Sequence, residues 1–239
     1  MYGVEKLLKY IEGNTEKCII CDRRKNNISI RGDGVGICSS CYEVFAKDCI
    51  KDYFDTNSRV KRLFAPFVYD GELRRAILDI KFGGCRAYAK PLGELVAEVL
   101  PPYYLYSDYD MLLPVPLHPN RLKERGFNQA ELIAEALSEK LLVPMYDDVL
   151  FRIRDTKRQA SLSRAMRQKN VEGAFFADGV VAGKRIMLVD DIYTAGATVK
   201  ACAKELIEKG AAEVSAIVVC ANFIKEHGEA PKMQIPIVK

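Results

Sequence analysis

The chain has 239 residues, enough for one sizeable core and a small extra module. Hydrophobic residues make up 49% and charged ones 28%, which excludes a disordered or fibrous chain and fits a globular one. The net charge of +4 suits anionic ligands without marking a nucleic-acid binder.

Met1 to Lys17 mixes Glu5, Lys6, Lys9 and Glu12 with apolar residues, so a short helix rather than a signal peptide is expected. No apolar run approaches bilayer-spanning length, so no membrane insertion is expected and the cytoplasm is the default location. Cys18-x-x-Cys21 and Cys38-x-x-Cys41 follow, separated by sixteen residues. Each pair places two thiolates on one tight turn, and two pairs close a tetrahedron around zinc at ~2.3 Å per Zn–S bond. Asn26-Asn27 and Gly32-Asp33-Gly34 between the pairs predict a hairpin. So small a module buries little core, and the metal would supply its folding energy. Four thiolates also fill the zinc and leave no open position for catalysis. Two disulfides or a redox pair are the competing readings. Cys202 and Cys220 fall at apolar positions and read as core thiols, while Cys49 and Cys85 are scattered.

A helix is expected from Cys41 to Phe54, then a polar connection over Asp55 to Lys61. This divides the chain into a zinc-ribbon-like module, residues 1–57, and a second domain, residues 58–239. In the second domain Ala65 to Tyr69 is strand-like. Gly71 to Ile80 is helical, with Leu73, Ile77 and Ile80 on one face. Ala87 to Leu100 is a further helix, Pro101 to Asp108 a tyrosine-rich loop, and Met111 to Val115 a strand. Asn128 to Leu141 is helical, with Leu132, Ile133, Ala136 and Leu137 inward and Asn128 suited to cap it. Arg185-Ile186-Met187-Leu188 and Val214 to Ala221 are buried strands. Val199, Cys202, Ala203, Leu206 and Ile207 mark a helix between them, which Gly210 stops. Strands alternating with helices predict an α/β fold with a mainly parallel sheet flanked by helices.

Asp190 and Asp191 fall where the first of these two strands ends. Thr194-Ala195-Gly196-Ala197-Thr198 then opens the helix. In an open α/β sheet that is where ligands bind. The small residues let a ligand approach the backbone, and the amides at a helix start suit a phosphate. Ionised carboxylates only accept hydrogen bonds, so the Asp pair suits the diol of a ribose. Together they describe a ribose-5-phosphate site. Neither a Walker A sequence nor G-x-G-x-x-G is present. Two adjacent carboxylates repel, so Asp191→Asn is expected to hold or raise stability.

Lys81 with Phe82-Gly83-Gly84 ends the first helix of the α/β domain. The glycines can bring amides to an anion, or serve only as a helix cap. Arg152 to Lys169 carries seven basic residues against one acid, Asp155. That density fits a lid over pyrophosphate, a nucleic-acid contact, or a solvated surface. Few aromatics interleave it, which weakens a stacking platform for single strands. Arg125, Asn128 and Gln129 form a further polar group, readable as surface charge and a helix start. His118 receives no role.

The order Asp-Asp, spacer, Thr-x-Gly-x-Thr resembles the phosphoribosyl-pyrophosphate (PRPP) motif of type I phosphoribosyltransferases. There Thr-Thr-Gly is commoner, and here Ala195 takes the middle place. Three further features accompany it: Pro114-Val115-Pro116-Leu117-His118-Pro119, the Arg121–Gln129 run, and Arg154, Thr156, Gln159, Leu162, Arg167 and Asn170 before Gly173-Ala174-Phe175. With the cysteine pairs, the set resembles the ComF/GntX family over nearly the whole chain. The resemblance implies a zinc ribbon joined to a phosphoribosyltransferase-like domain, with PRPP and Mg²⁺ at Asp190 to Thr198. It also implies pyrophosphate contacts from Lys81 and from a lid with Arg154, Arg158 and Arg167, and a substrate side at Arg125, Asn128 and Gln129. ComF members are associated with natural competence, and GntX members with gluconate use or with DNA as a nutrient. The resemblance leaves three functions open. They are a PRPP-dependent transferase acting in DNA uptake, a non-catalytic binder of single-stranded DNA or competence proteins, and a nucleobase salvage enzyme. A transferase would displace pyrophosphate at the anomeric carbon of the ribose.

Overall fold

The computed structural model describes residues 16–31, 34–47, 49, 59–105, 109–156 and 164–222. The expected N-terminal helix, the far end of the helix expected to reach Phe54, and residues 55–58 of the expected connection lie outside the described residues. Strands β1 (Glu16–Cys18), β2 (Arg24–Lys25), β3 (Ile28–Arg31) and β4 (Val35–Cys38) form one sheet in the order β2-β1-β4-β3. The expected hairpin is the antiparallel β3–β4 pair, and β1 joins it in parallel, which sets Cys18 beside Gly36. Gly36 has no alternative, because a Cβ there would collide with the Ile30 carbonyl oxygen. Helix α1 (Ser39–Lys47) follows.

The α/β domain opens on β5 (Leu63–Phe64) and β6 (Phe67–Val68). The sequence predicts one strand here; Pro66 has no N–H to donate, and the strand is split around it. Helix α2 (Gly71–Phe82) starts at Asp70, whose carboxylate accepts from the Gly71 amide at 2.8 Å. Helices α3 (Ala89–Glu98) and α4 (Pro102–Leu105) lead to β7 (Met111–Pro114), then to α5 (Pro119–Arg125) and α6 (Gln129–Leu141). Gly93 of α3 lies against α6 so closely that a Cβ would stand 2.8 Å from the Ile133 carbonyl oxygen. Strand β8 (Leu150–Arg152), helix α7 (Arg164–Val171) and strand β9 (Phe175–Ala177) come next, with β8 and β9 paired as a two-stranded ribbon. Strand β10 (Arg185–Tyr193), helix α8 (Ala197–Glu208) and strand β11 (Glu213–Ala221) complete the fold.

The main sheet has the order β5/β6-β11-β10-β7, and every pairing in it is parallel. This is the α/β architecture the sequence predicts. Helices α2, α3 and α6 cover one face, where Ile77, Leu92 and Ile133 pack in one core with Met187, Val189, Ile217 and Val219. Helix α8 and the β8–β9 ribbon cover the other, where Leu206 and Phe175 share a core with Ile186, Leu188 and Val218. Cys18, Ile19, Ile37 and Cys38 belong to the first of these cores, so the cysteine sheet and the helices share one buried interior. Cys202 and Cys220 are fully buried, as their apolar positions predict.

Candidate functional site

β10 runs five residues beyond the sequence expectation and contains both aspartates. On one side its pairing with β7 ends at Val189 opposite Pro114; on the other, β11 continues to Tyr193 opposite Ala221. Asp190 and Asp191 therefore lie just past the point where β7 stops, at the carboxyl end of the sheet, where α/β folds form their ligand crevice. Successive strand residues point to opposite faces. Asp191 meets Lys81 from the last turn of α2, with its Oδ2 2.6 Å from Lys81 Nζ, and their side chains are only 5% and 20% exposed. Asp190 is also buried; its charge acts on Arg152 and Cys202, and its Oδ1 accepts from the Asp191 amide at 2.8 Å.

The three charges settle unequally. Burial works against the Lys81 ammonium, but Asp191 and Asp190 raise its pKa above the usual value. Burial likewise opposes ionisation of Asp191, yet the Lys81 charge and its hydrogen bond hold that pKa below the ordinary range. At Asp190 burial, the Asp191 charge and the hydrogen bond to Asp191 outweigh the pull of Lys81 and push the pKa well up. The lysine therefore favours the charged form of Asp191, while burial beside that charge disfavours ionisation of Asp190.

The loop after β10 has the geometry an anion needs. Gly196 is left-handed, with φ of 68°, and occupies the N-cap place of α8. It has no side chain, and no side-chain cap bond forms at that helix start. A Cβ at Gly196 would run into the Tyr193 ring, so both the turn and the packing require glycine. Thr194 is exposed, Ala195 and Thr198 are half-buried, and Gly196 and Ala197 are buried.

Arg125 ends α5 and donates to the Gln129 side-chain oxygen. Its charge adds to the pull on Asp191, so the turn before α6 comes to the same end of the sheet. Gly126, with φ of 82°, makes that turn. Asn128 uses both ends of its amide: its oxygen caps α6 at Ala130 N, 3.1 Å away, and its nitrogen donates to Val115 O at 3.1 Å. It thereby ties the end of β7 to the start of α6.

The basic segment is only partly described. The Arg154 guanidinium donates to Asn170 O at 2.9 Å, fastening that side chain to the end of α7. Arg158 and the Arg167 side chain lie outside the described residues. Arg152 turns inward, donates to Thr156 and sits 5.5 Å from the Phe175 ring centroid, and burial lowers its pKa. His118, given no role from sequence, caps α5 by accepting from Asn120 N at 3.3 Å and stands 3.7 Å from Asp155. Asn120 holds the same Asp155 oxygen at 2.8 Å. No local pattern signals the two contacts to Asp155, because they link residues thirty or more positions apart.

The four cysteines converge as their spacing predicts. Their sulfurs all lie within 4.8 Å of one another, with Cys21 and Cys38 at 4.0 Å. A tetrahedral site with ~2.3 Å Zn–S bonds has sulfur edges of ~3.8 Å, so the set fits a metal ion. Burial opposes a Cys18 thiolate, but amide donors from Cys38, Cys21 and Ile20 bring its pKa down to about 7. Burial raises Cys38 and Cys41. The ion, when bound, supplies the charge that makes all four thiolates stable. Beside the cluster, Arg75 of α2 donates to Ile20 O at 2.7 Å and to Ile19 O at 3.1 Å, and is 3.3 Å from Asp22 and 3.2 Å from Asp79.

Comparison with known proteins agrees with this geometry. The phosphoribosyl transferase domain family matches residues 128–235. The competence protein ComFC of Streptococcus pneumoniae is 28% identical over 222 residues, 83% of this chain and 96% of that protein. The DNA utilization protein YhgH of Escherichia coli is 36% identical over 114 residues, 48% of this chain and 50% of the relative. Competence protein F of Haemophilus influenzae is 33% identical over 108 residues, 44% of this chain and 47% of the relative. The matched region thus spans nearly all of the first relative and about half the length of the other two. With four converging cysteines and a parallel sheet that carries an Asp-Asp loop at its carboxyl end, the chain is similar to these competence and DNA-utilization proteins and, over residues 128–235, to the phosphoribosyl transferase domain.

Proposed function

We propose that this protein binds PRPP at the Asp190–Thr198 loop and acts in the cytoplasm on the path of incoming DNA, as the names of its competence and DNA-utilization relatives indicate. The observation that carries the ligand reading is the buried Lys81–Asp191 pair beside an uncapped, glycine-started helix. The 5-phosphate would take the amides of α8 and the Thr194 and Thr198 hydroxyls. Ribose hydroxyls would donate to Asp191, releasing Lys81 to the pyrophosphate. Arg125 would add a second cation on that side. Mg²⁺ bound with the ligand would neutralise pyrophosphate, and zinc would fill the four-cysteine site. Residues 1–57 would then form the metal module and 58–239 the ligand-binding domain.

Calorimetry with PRPP and Mg²⁺ tests this reading. Gly196→Val should abolish binding through the Tyr193 collision. Asp191→Asn should weaken it roughly tenfold to a hundredfold, the worth of a charge-assisted hydrogen bond of about 1.5–3 kcal/mol. Equal affinity in all three proteins would move the ligand elsewhere. The DNA reading has its own test. Binding of a single-stranded oligonucleotide should weaken steeply with salt, and Arg154→Ala with Arg158→Ala should flatten the slope. No binding at low salt would remove DNA as a direct partner.

A further inference from the structure

Helix α2 touches both candidate sites. Its second turn carries Arg75, whose Nη2 bonds to the carbonyls of Ile19 and Ile20. Those are the two residues between Cys18 and Cys21, so one guanidinium grips the turn that presents two of the four sulfurs. Arg75 is steadied by Asp22 and Asp79 at 3.3 and 3.2 Å. Asp22 itself has a left-handed φ of 62° and donates its amide to Cys18 O at 2.9 Å, which closes the same turn. Six residues along, about 9 Å at 1.5 Å per residue, the same helix delivers Lys81 to Asp191. Between them Ala76, Ile77 and Ile80 are buried in the core that also holds Cys18, Ile19 and Ile20. The helix can therefore tilt or slide only as that core and the cysteine turn allow.

We propose that Arg75 is a positioning residue that couples the two sites. It pins α2 to the cysteine turn, so a divalent metal bound by Cys18, Cys21, Cys38 and Cys41 sets the placement of Lys81 and with it the affinity for a phosphorylated sugar. This rests on the PRPP reading for its ligand, but not for its geometry. The Ile19 and Ile20 carbonyls face Arg75 only while Cys18 and Cys21 hold one turn. An ion held by the four sulfurs, which lie within 4.8 Å of one another, would tie the Cys18–Cys21 turn to Cys38 and Cys41, and removing it would take that tie away and let the turn relax. A link of this kind is reciprocal: if metal favours ligand, ligand favours metal by the same factor.

That reciprocity gives a readout that a merely structural arginine would not move. Zinc transfer from the full-length protein to a colorimetric chelator is followed with and without PRPP and Mg²⁺. In the wild type the ligand should tighten zinc retention about fivefold or more, the lower end of ordinary coupling. In Arg75→Gln the ligand should have no effect, and Arg75→Lys should restore part of it. Equal ligand effects in the wild type and Arg75→Gln would overturn the proposal. Hydrogen exchange at residues 79–85 supplies an arm without PRPP. Stripping zinc from the wild type should speed exchange there while α8 stays protected, and zinc-loaded Arg75→Gln should match the stripped protein. Unchanged protection at 79–85, or loss of protection throughout the chain, would overturn the coupling. If the wild type shows the exchange pattern but binds no PRPP, the ligand assignment fails and the mechanical link stands. Should Arg75→Gln fail to fold, Arg75→Lys takes its place in both arms, with intermediate values expected and wild-type values overturning the proposal.

Discussion

The four-cysteine cluster and the Asp190–Asp191 pair both gather groups that become anionic, and the protein treats them differently. The carboxylates come with an internal countercharge, Lys81, held 2.6 Å from Asp191. Among the described residues the thiols show none: the shifts on Cys18, Cys38 and Cys41 arise from burial, amide donors and one another. The difference separates a site that leans on its ligand for stability from one that is complete without it. A self-neutralised site must exchange partners to bind, which costs affinity but keeps the apo protein folded. A bare thiol cluster would gain affinity and leave the metal-free protein weak.

The largest effect should come from breaking the dependent site. Chelation, or Cys38→Ser, should lower the thermal midpoint by about 10 °C, because structural metal sites contribute several kcal/mol of folding energy and each kcal/mol is worth roughly 2–4 °C at this size. The sequence alone suggests damage confined to the N-terminal module. The shared core of Ile19, Ile37, Ile77 and Leu92 predicts that α2 and α3 loosen too. Scanning calorimetry of loaded and stripped protein checks this, and an unchanged midpoint would erase the contrast between the sites.

A smaller loss should follow from disturbing the self-neutralised site. Lys81→Met leaves Asp191 buried and unpaired, which should cost about 3 kcal/mol. Asp191→Asn should destabilise as well, since it strands the Lys81 ammonium. The expectation from sequence, that relief of carboxylate repulsion would hold or raise stability, leaves the lysine out, and the ion pair argues for the opposite sign. The double variant Lys81→Met with Asp191→Asn should recover most of the loss in urea denaturation. Simple addition of the two single effects would show that the pair is not a unit.

The smallest effect should come from Asp190. Its pKa is raised in the folded state by burial and by Asp191, so the native protein holds that proton more tightly than the unfolded chain. Stability should then fall as pH rises from the ordinary carboxylate range through the raised value. Asp190→Asn should flatten this fall and stabilise the ligand-free protein at neutral pH, by less than either loss above. Parallel stability–pH curves for wild type and variant would place the sensitivity in another group.

Local patterns were readable in the sequence and distant pairings were not. The Asp190–Thr198 loop and the cysteine pairs each fit within a few residues, and their chemistry follows from spacing. Helix α6 announces itself through Leu132, Ile133, Ala136 and Leu137. Helix α5 does not, because Leu122 is its only large apolar residue and its start and stop rest on His118, Pro119 and Gly126. The β8–β9 ribbon was hidden for another reason. Phe151 and Phe176 stack at 6.4 Å across it, but each lies in a short run and helix α7 comes between them in sequence, so no short hairpin marks the pair. Lys81 was legible as a helix end near glycines. Its partnership with Asp191 was not, since an ion pair between residues so far apart leaves no periodic trace.

On the ribosome, the cysteine pairs emerge long before Met187, Val189, Ile217 and Val219, the strand residues that complete their shared core. At roughly 5–20 residues per second, the wait between Cys41 and Val219 is on the order of ten seconds or more. Through that interval Ile19, Ile20 and Ile37 have no sheet to pack against. An ion captured early would hold them in place as the remaining chain arrives. Metal supply at the moment of translation, rather than in the finished cell, would then decide how much of the protein reaches its native form.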